Sequence, residues 1–234
     1  MKITLLSLLA ADVPALRHFY GQALGLPVVD AQDEPGGISV EVGYSELRFC
    51  PAPPGMQPFY HVAFSVPHNQ LEAARAWVQA RTGLLPLPAG GFVADFANWN
   101  AHAFYFLDPA GNVLECIARH DLPNARTAPF SAAGLLGISE VGLVVADVPA
   151  AVKRVCAETA APVFHRGPVR EDFAAIGDDD GLLILVREGR AWFPTNRPAE
   201  SHYLRGQGLE CWHRTQWIHG RNPWLYPGRT SSDA

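Results

Sequence analysis

His102–Ala118, HAFYFLDPAGNVLECIA, is the stretch that decides the fold. Two apolar runs flank Asp108-Pro109-Ala110-Gly111. That tetrapeptide carries turn chemistry: Asp bonds its own backbone, Pro presets φ and Gly tolerates positive φ. The stretch therefore reads as a β-hairpin. Its second arm holds one acid, Glu115, between Leu114 and Cys116. A carboxylate on an apolar strand needs a partner, because burying it alone is costly.

The unit that owns this hairpin opens at His61 with HVAFSVPHNQLEAA, an apolar strand, a break and an amphipathic run. Two other segments open alike, LLSLLAADVPAL from Leu5 and EVGLVVADVPAAV from Glu140. Asp12 and Asp147 sit where a helix N-cap belongs, with Pro14 and Pro149 just inside. His68 or Asn69 takes that place in the middle copy. The spacing predicts helices over about 13–24, 69–81 and 148–159, the first stopped by Gly25. After each helix come short β-rich segments. ISVEVGYSELRFC turns at Gly43-Tyr44, and FAAIGDDDGLLILV turns near Asp180-Gly181. The plan is βαβββ three times: unit A over about 1–55, unit B over 56–121 and unit C over 135–200. The fold class is α+β, with repeated βαβββ units forming curved mixed sheets. NARTAPFSAAG links B to C, and residues 201–234 fit no unit and read as an irregular tail.

Size and charge narrow the function classes. The 234 residues are 48% hydrophobic and 18% charged, enough for one large or two small domains with a real core. The net charge of −5 comes without a basic block, which argues against nucleic acid. MKITLLSLLAADVP resembles a leader only superficially. Asp12 and Pro14 follow the apolar run at once and no cleavage site is evident, so it reads as a buried strand. No apolar stretch is long enough to span a bilayer. The expectation is a cytoplasmic protein. Cys50, Cys116, Cys156 and Cys211 form no CxxC pair, and read as reduced core residues. The acidic run Asp178–Asp180 reads as a solvated turn. Glycine loops for nucleotides are missing, as is a nucleophile with a base partner.

FYGQALGLPV (19–28), HVAFSVP (61–67) and FYFLDPAGNVLECI (104–117), in this order, resemble the vicinal oxygen chelate superfamily. It includes glyoxalase I, bleomycin-resistance proteins and extradiol dioxygenases. The resemblance covers units A and B well and unit C less well. It implies paired units curled into a cup, whose first and last strands point ligands at one divalent metal. Carried over residue by residue, it gives His61 and Glu115 from unit B, Glu140 and roughly Leu185 from unit C, and Leu5 and Arg48 from unit A. Units A and B thus offer two ligands, and B with C offers three: His61, Glu115 and Glu140. The working cup is therefore expected to involve unit C, of this chain or of a second one. One His and two carboxylates suit Fe(II), Mn, Ni or Zn. Strand parity adds that Ala63 and Ser65 face as His61 does, and Val113 and Ile117 as Glu115 does.

Tyr105 aligns with a substrate-facing tyrosine of the fosfomycin-resistance branch, and a phenol there donates a proton or holds a substrate oxygen. Ordinary alternatives stand beside each residue. His61 also fits a core histidine opening a strand, Glu115 a solvent-facing position, Glu140 an interface ion pair, and Tyr105 simple packing. His102 points away from Glu115 by parity. The resemblance implies an enzyme acting on a small molecule with vicinal oxygens, by glyoxalase-type isomerase or lyase chemistry or by ring-cleaving dioxygenation. The alternative is a metal-free binding protein of the bleomycin-resistance type, with Tyr60, Trp99 and Tyr105 lining its groove. An odd number of units leaves one apolar face over, so a homodimer is expected.

Overall fold

In this computed structural model, residues 1–167, 169–210 and 213–219 are described. Unit A contributes β1 (Lys2–Ala10), α1 (Val13–His18), β2 (Val28–Asp30), β3 (Ile38–Val42) and β4 (Ser45–Pro51). Unit B contributes β5 (His61–Ser65), α2 (Leu71–Gln79), β6 (Leu84–Leu85), β7 (Ala94–Phe96), β8 (Ala101–Leu107) and β9 (Val113–Arg119). Unit C contributes β10 (Gly137–Val145), α3 (Val148–Thr159), β11 (Phe173–Asp178) and β12 (Gly181–Arg187). A final hairpin, β13 (Leu204–Glu210) and β14 (His213–His219), follows.

Local signals explain most boundaries. Asp12 and Asp147 accept hydrogen bonds from Ala15 and Ala150 backbone N–H, each at 2.9 Å, and so cap α1 and α3. Helix α1 widens into one π-type turn over Phe19–Ala23 before Gly25, at φ 69°, ends it. The cap expected at His68 or Asn69 is corrected: α2 starts after Gln70 without a side-chain cap. Those residues are engaged elsewhere, since Asn124 takes the His68 N–H and Asn69 bonds Arg126 in the B–C linker.

All the described strands join one sheet, with the path β2-β3-β4-β1-β10-β5-β9-β8-β6. β11 and β12 add onto β10, and β13 and β14 onto β1. First strands of B and C meet antiparallel, Val62 against Val141. Units B and C thus share one curved sheet within the chain. Unit C departs from the repeat. Among its described residues one strand fewer is formed, and Val163 makes an isolated bridge to Ile176 in that region.

The tail expected to be irregular places two paired strands over 204–210 and 213–219, and the first pairs with β1 from Lys2 to Leu8. Its sequence alternates little, so only the pairing partner supplies the order. Cys211, Pro223 and Pro227 lie outside the described residues. β13 occupies the free edge of β1. The open face of unit A is polar: Ser39 and Arg48 both bond Glu46 Oε1, each at 2.5 Å.

Two cores follow. The larger packs helices on the outer side of the sheet, with Leu6, Leu16, Phe49, Phe64, Val78, Val141 and Leu185. The smaller lines the inside of the B–C cup, with Ala63, Tyr105, Ile117, Val144, Ile184 and Trp192. A buried polar chain joins units A and B. Tyr20 donates to Asp108 at 3.0 Å, Asp108 also accepts from Asn112 Nδ2 at 2.7 Å, and Asn112 accepts the Tyr60 N–H at 2.8 Å. Asp108 is thus more than the turn residue expected. It ties the unit A helix to the unit B hairpin.

Candidate metal centre

β10, β5 and β9 are neighbours, and their two-residue period sets one row of side chains into the cup. Ala63 pairs with Glu115 on one side and with Glu140 on the other. The small Ala63 side chain leaves the space between the two carboxylates open. His61 lies two residues back on the same face. One ligand atom each of His61, Glu115 and Glu140 falls within 4.8 Å of the others, and all three residues are buried.

The histidine is oriented. Its Nδ1 donates to Val113 O at 3.0 Å, which leaves Nε2 as the lone-pair nitrogen, 3.5 Å from Glu115 Oε2. Burial lowers its pKa to about 4, so it is neutral near pH 7. The Trp192 ring lies against it at 5.1 Å. Gly142 makes that contact possible: a Cβ there would sit 2.4 Å from Trp192 Cη2.

The carboxylates differ. Burial, and then the charge of Glu140, push Glu115 well above the usual carboxylate range, with Tyr105 and Arg119 pulling against them. Tyr105 pairs directly across from Glu115, and its phenol favours the ionised carboxylate. Glu140 is raised by burial and opposed by Arg119. Arg119, fully buried, makes an ion pair with Glu140 Oε1 and bonds Ser139 Oγ at 3.3 Å. Asp179 approaches its other side at 3.7 Å, so that acid is no purely solvated turn residue. A single Glu140 oxygen is engaged by Arg119, and the second is left for a cation.

These residues fit a divalent ion: one fixed imidazole nitrogen and two buried carboxylates on rigid strands. The remaining positions do not contribute. Leu185 turns to the outer core, and Ile184, paired with Gly142, takes the place facing the cup. In unit A, Arg48 is bound to Glu46. His102 bonds His120 at 2.8 Å on the opposite face.

A pocket of about 330 Å³ opens above the three ligands. Its floor is buried: His61, Tyr105, Glu115, Glu140, Ile184 and Trp192. Its mouth carries Trp99, Phe173 and Phe193 with three arginines. Tyr60 does not line it; its hydroxyl donates to Tyr203 O at 2.7 Å. Arg119 shares the parity of Glu115 and Ile117, the one sequence signal that places it in the cup. Trp192 and Phe193 lie after the last repeat strand, where no periodicity marks them.

No family model matches the sequence, and no curated protein is significantly similar to it. Solved structures do match. A Bacillus subtilis protein assigned as a dioxygenase superposes with TM-score 0.56 at 15% identity, covering 80% of this chain and 63% of its own. The likeness is one of fold, the glyoxalase/dioxygenase type. Glyoxalase I from Zea mays shares it with TM-score 0.50 at 17% identity, covering 85% of this chain and 72% of its own. This chain thus spans under two thirds of the Bacillus protein's length. In this fold the candidate ligands come from the first strands of units B and C and the last strand of B. Among the described helices, none is long and apolar enough to cross a membrane.

Proposed function

We propose that the protein is a metal-dependent enzyme that acts on a small molecule with two neighbouring oxygens, and that His61, Glu115 and Glu140 hold the metal. The observation that carries this reading is the convergence of the three ligand atoms within 4.8 Å on the floor of a small-molecule pocket. Fe(II), Mn, Ni and Zn all suit the donor set. When bound, such an ion would supply Lewis-acid polarisation of the substrate oxygens.

The chain's own residues do the rest. Val113 O holds the His61 ring so that Nε2 faces the cluster. The Tyr105 phenol, kept neutral by burial, stands beside Glu115 at the pocket floor and serves as hydrogen-bond donor to a substrate oxygen. Trp192 and Ile184 exclude water from that floor. Two Glu and one His favour isomerase or lyase chemistry over ring cleavage, which uses two His and one carboxylate on Fe(II).

Elemental analysis of untagged protein tests the assignment, alongside His61→Ala and Glu115→Gln. About one divalent ion per chain is expected, and loss of it in both variants. Absence of metal after incubation with each of the four ions would overturn the reading in favour of a metal-free binding protein.

A further inference from the structure

Unlike its floor, the mouth of the B–C pocket is basic. Arg166, Arg170 and Arg190 line it. Arg166 is ion-paired with Asp121, and Arg190 with Asp172 at 3.1 Å. Arg170 is exposed, and among the described residues no carboxylate pairs with its side chain. Of the three, Arg170 is the one whose charge has no ion-pair partner among the described residues. That charge sits at the rim of a pocket walled by aromatic rings, Phe96, Trp99, Phe173, Trp192 and Phe193. Arg190 lies over the Phe173 ring at 5.3 Å, which fixes one of the basic groups against the wall.

Floor and rim therefore ask for different ends of one molecule. We propose that the pocket takes a small, flat organic acid, with its ring or conjugated body between the aromatic walls and its carboxylate on Arg170 at the mouth. The volume of about 330 Å³ lies at the small end for ligand sites, so one ring with short substituents fills it. Arg170 has its five donors free for a carboxylate, which a guanidinium binds in bidentate fashion. Arg166 and Arg190 add field without giving up their own partners. A neutral molecule of the same shape gains the wall contacts but leaves the rim charge unmatched.

The inference rests on the same pocket as the proposed function but not on its metal. The test is a titration of full-length protein, stripped of metal with EDTA, with trans-cinnamate and its neutral isostere trans-cinnamamide. Neither probe has vicinal oxygens, so binding is read without the metal. Quenching of tryptophan emission reports it, since Trp99 and Trp192 line the site. Cinnamate is expected to bind about tenfold tighter than the amide, the value of one charge-assisted contact. That advantage should shrink in 0.3 M salt, disappear in Arg170→Gln and return in part in Arg170→Lys. Arg154→Gln, an exposed change on α3, should leave it intact.

Equal affinity for acid and amide, no binding of either, or an unchanged preference in Arg170→Gln would each overturn the proposal. A protein that holds no metal yet prefers the acid would sink the metal reading and keep this one.

Discussion

Arg119 and Glu140 form a buried ion pair at the floor of the cup, with Arg119 fully enclosed. Asp179 faces Arg119 from the β11–β12 turn, and Trp99 and Phe164 cover the guanidinium at 5.4 and 5.8 Å. A candidate metal ligand is thereby held by a cation on the same strand face as Glu115. Removing one partner leaves the other charge buried alone. Arg119→Met should therefore cost about 3–5 kcal/mol in urea unfolding, while Arg119→Met with Glu140→Leu should recover most of it. A loss below about 1 kcal/mol in the single variant would mean that water reaches the pair.

Gly142 is required by packing and not by its backbone angle. An added Cβ would lie 2.4 Å from Trp192 and 3.2 Å from His61 Cβ. Gly142→Ala should cost about 1–3 kcal/mol through forced displacement of the ring. Trp192 should become more exposed, seen as a red shift in emission that is absent in a Trp192→Phe background. Unchanged stability and emission would show that the ring has room to move.

Much of this fold is legible in the sequence. Three strand–helix openings, two Asp caps and the Asp108–Gly111 turn are local, and local chemistry survives folding. His61, Glu115 and Glu140 were reached from the superfamily resemblance with strand parity beside it, and the structure brings their ligand atoms together. What was not readable depends on long-range pairing. β13 finds β1 across some 200 residues, a pairing that no local pattern announces. Arg119 has the right parity, but a cation beside a candidate metal ligand runs against the chemistry of a cation site. Trp192 reaches His61 from a loop, and loops carry no period. Among the described residues unit C forms one strand fewer than the full repeat the spacing predicts.

The motifs behind the resemblance also have a physical meaning. Tyr20 from the first and Asp108 and Asn112 from the third are joined by buried hydrogen bonds. Tyr20→Phe leaves one Asp108 acceptor short and should cost about 1–2 kcal/mol, and Asp108→Ala, which strands several donors, at least about 3 kcal/mol. Because both act on one network, the double variant should lose less than the two separately. Additive losses in a urea series would show that the Tyr20 bond acts independently of the hairpin turn.

His61 makes a pH prediction with a definite sign. Burial depresses its folded pKa from the ordinary 6.5 to about 4. Above pH 6.5 the ring is neutral folded and unfolded, and the shift costs nothing. As pH falls from 6.5 towards 4, the unfolded chain binds a proton that the native chain refuses. Stability then drops by up to ~1.4 kcal/mol per pH unit, and the loss levels off once the native ring also protonates. Other groups titrate over the same range, so the readout is the difference between the parent protein and His61→Gln, both in EDTA. The parent should lose more stability than the variant between pH 6.5 and 4. Parallel curves would mean that the ring stays protonatable in the native state, through water at the pocket floor, and would remove the neutral imidazole on which the ligand assignment depends.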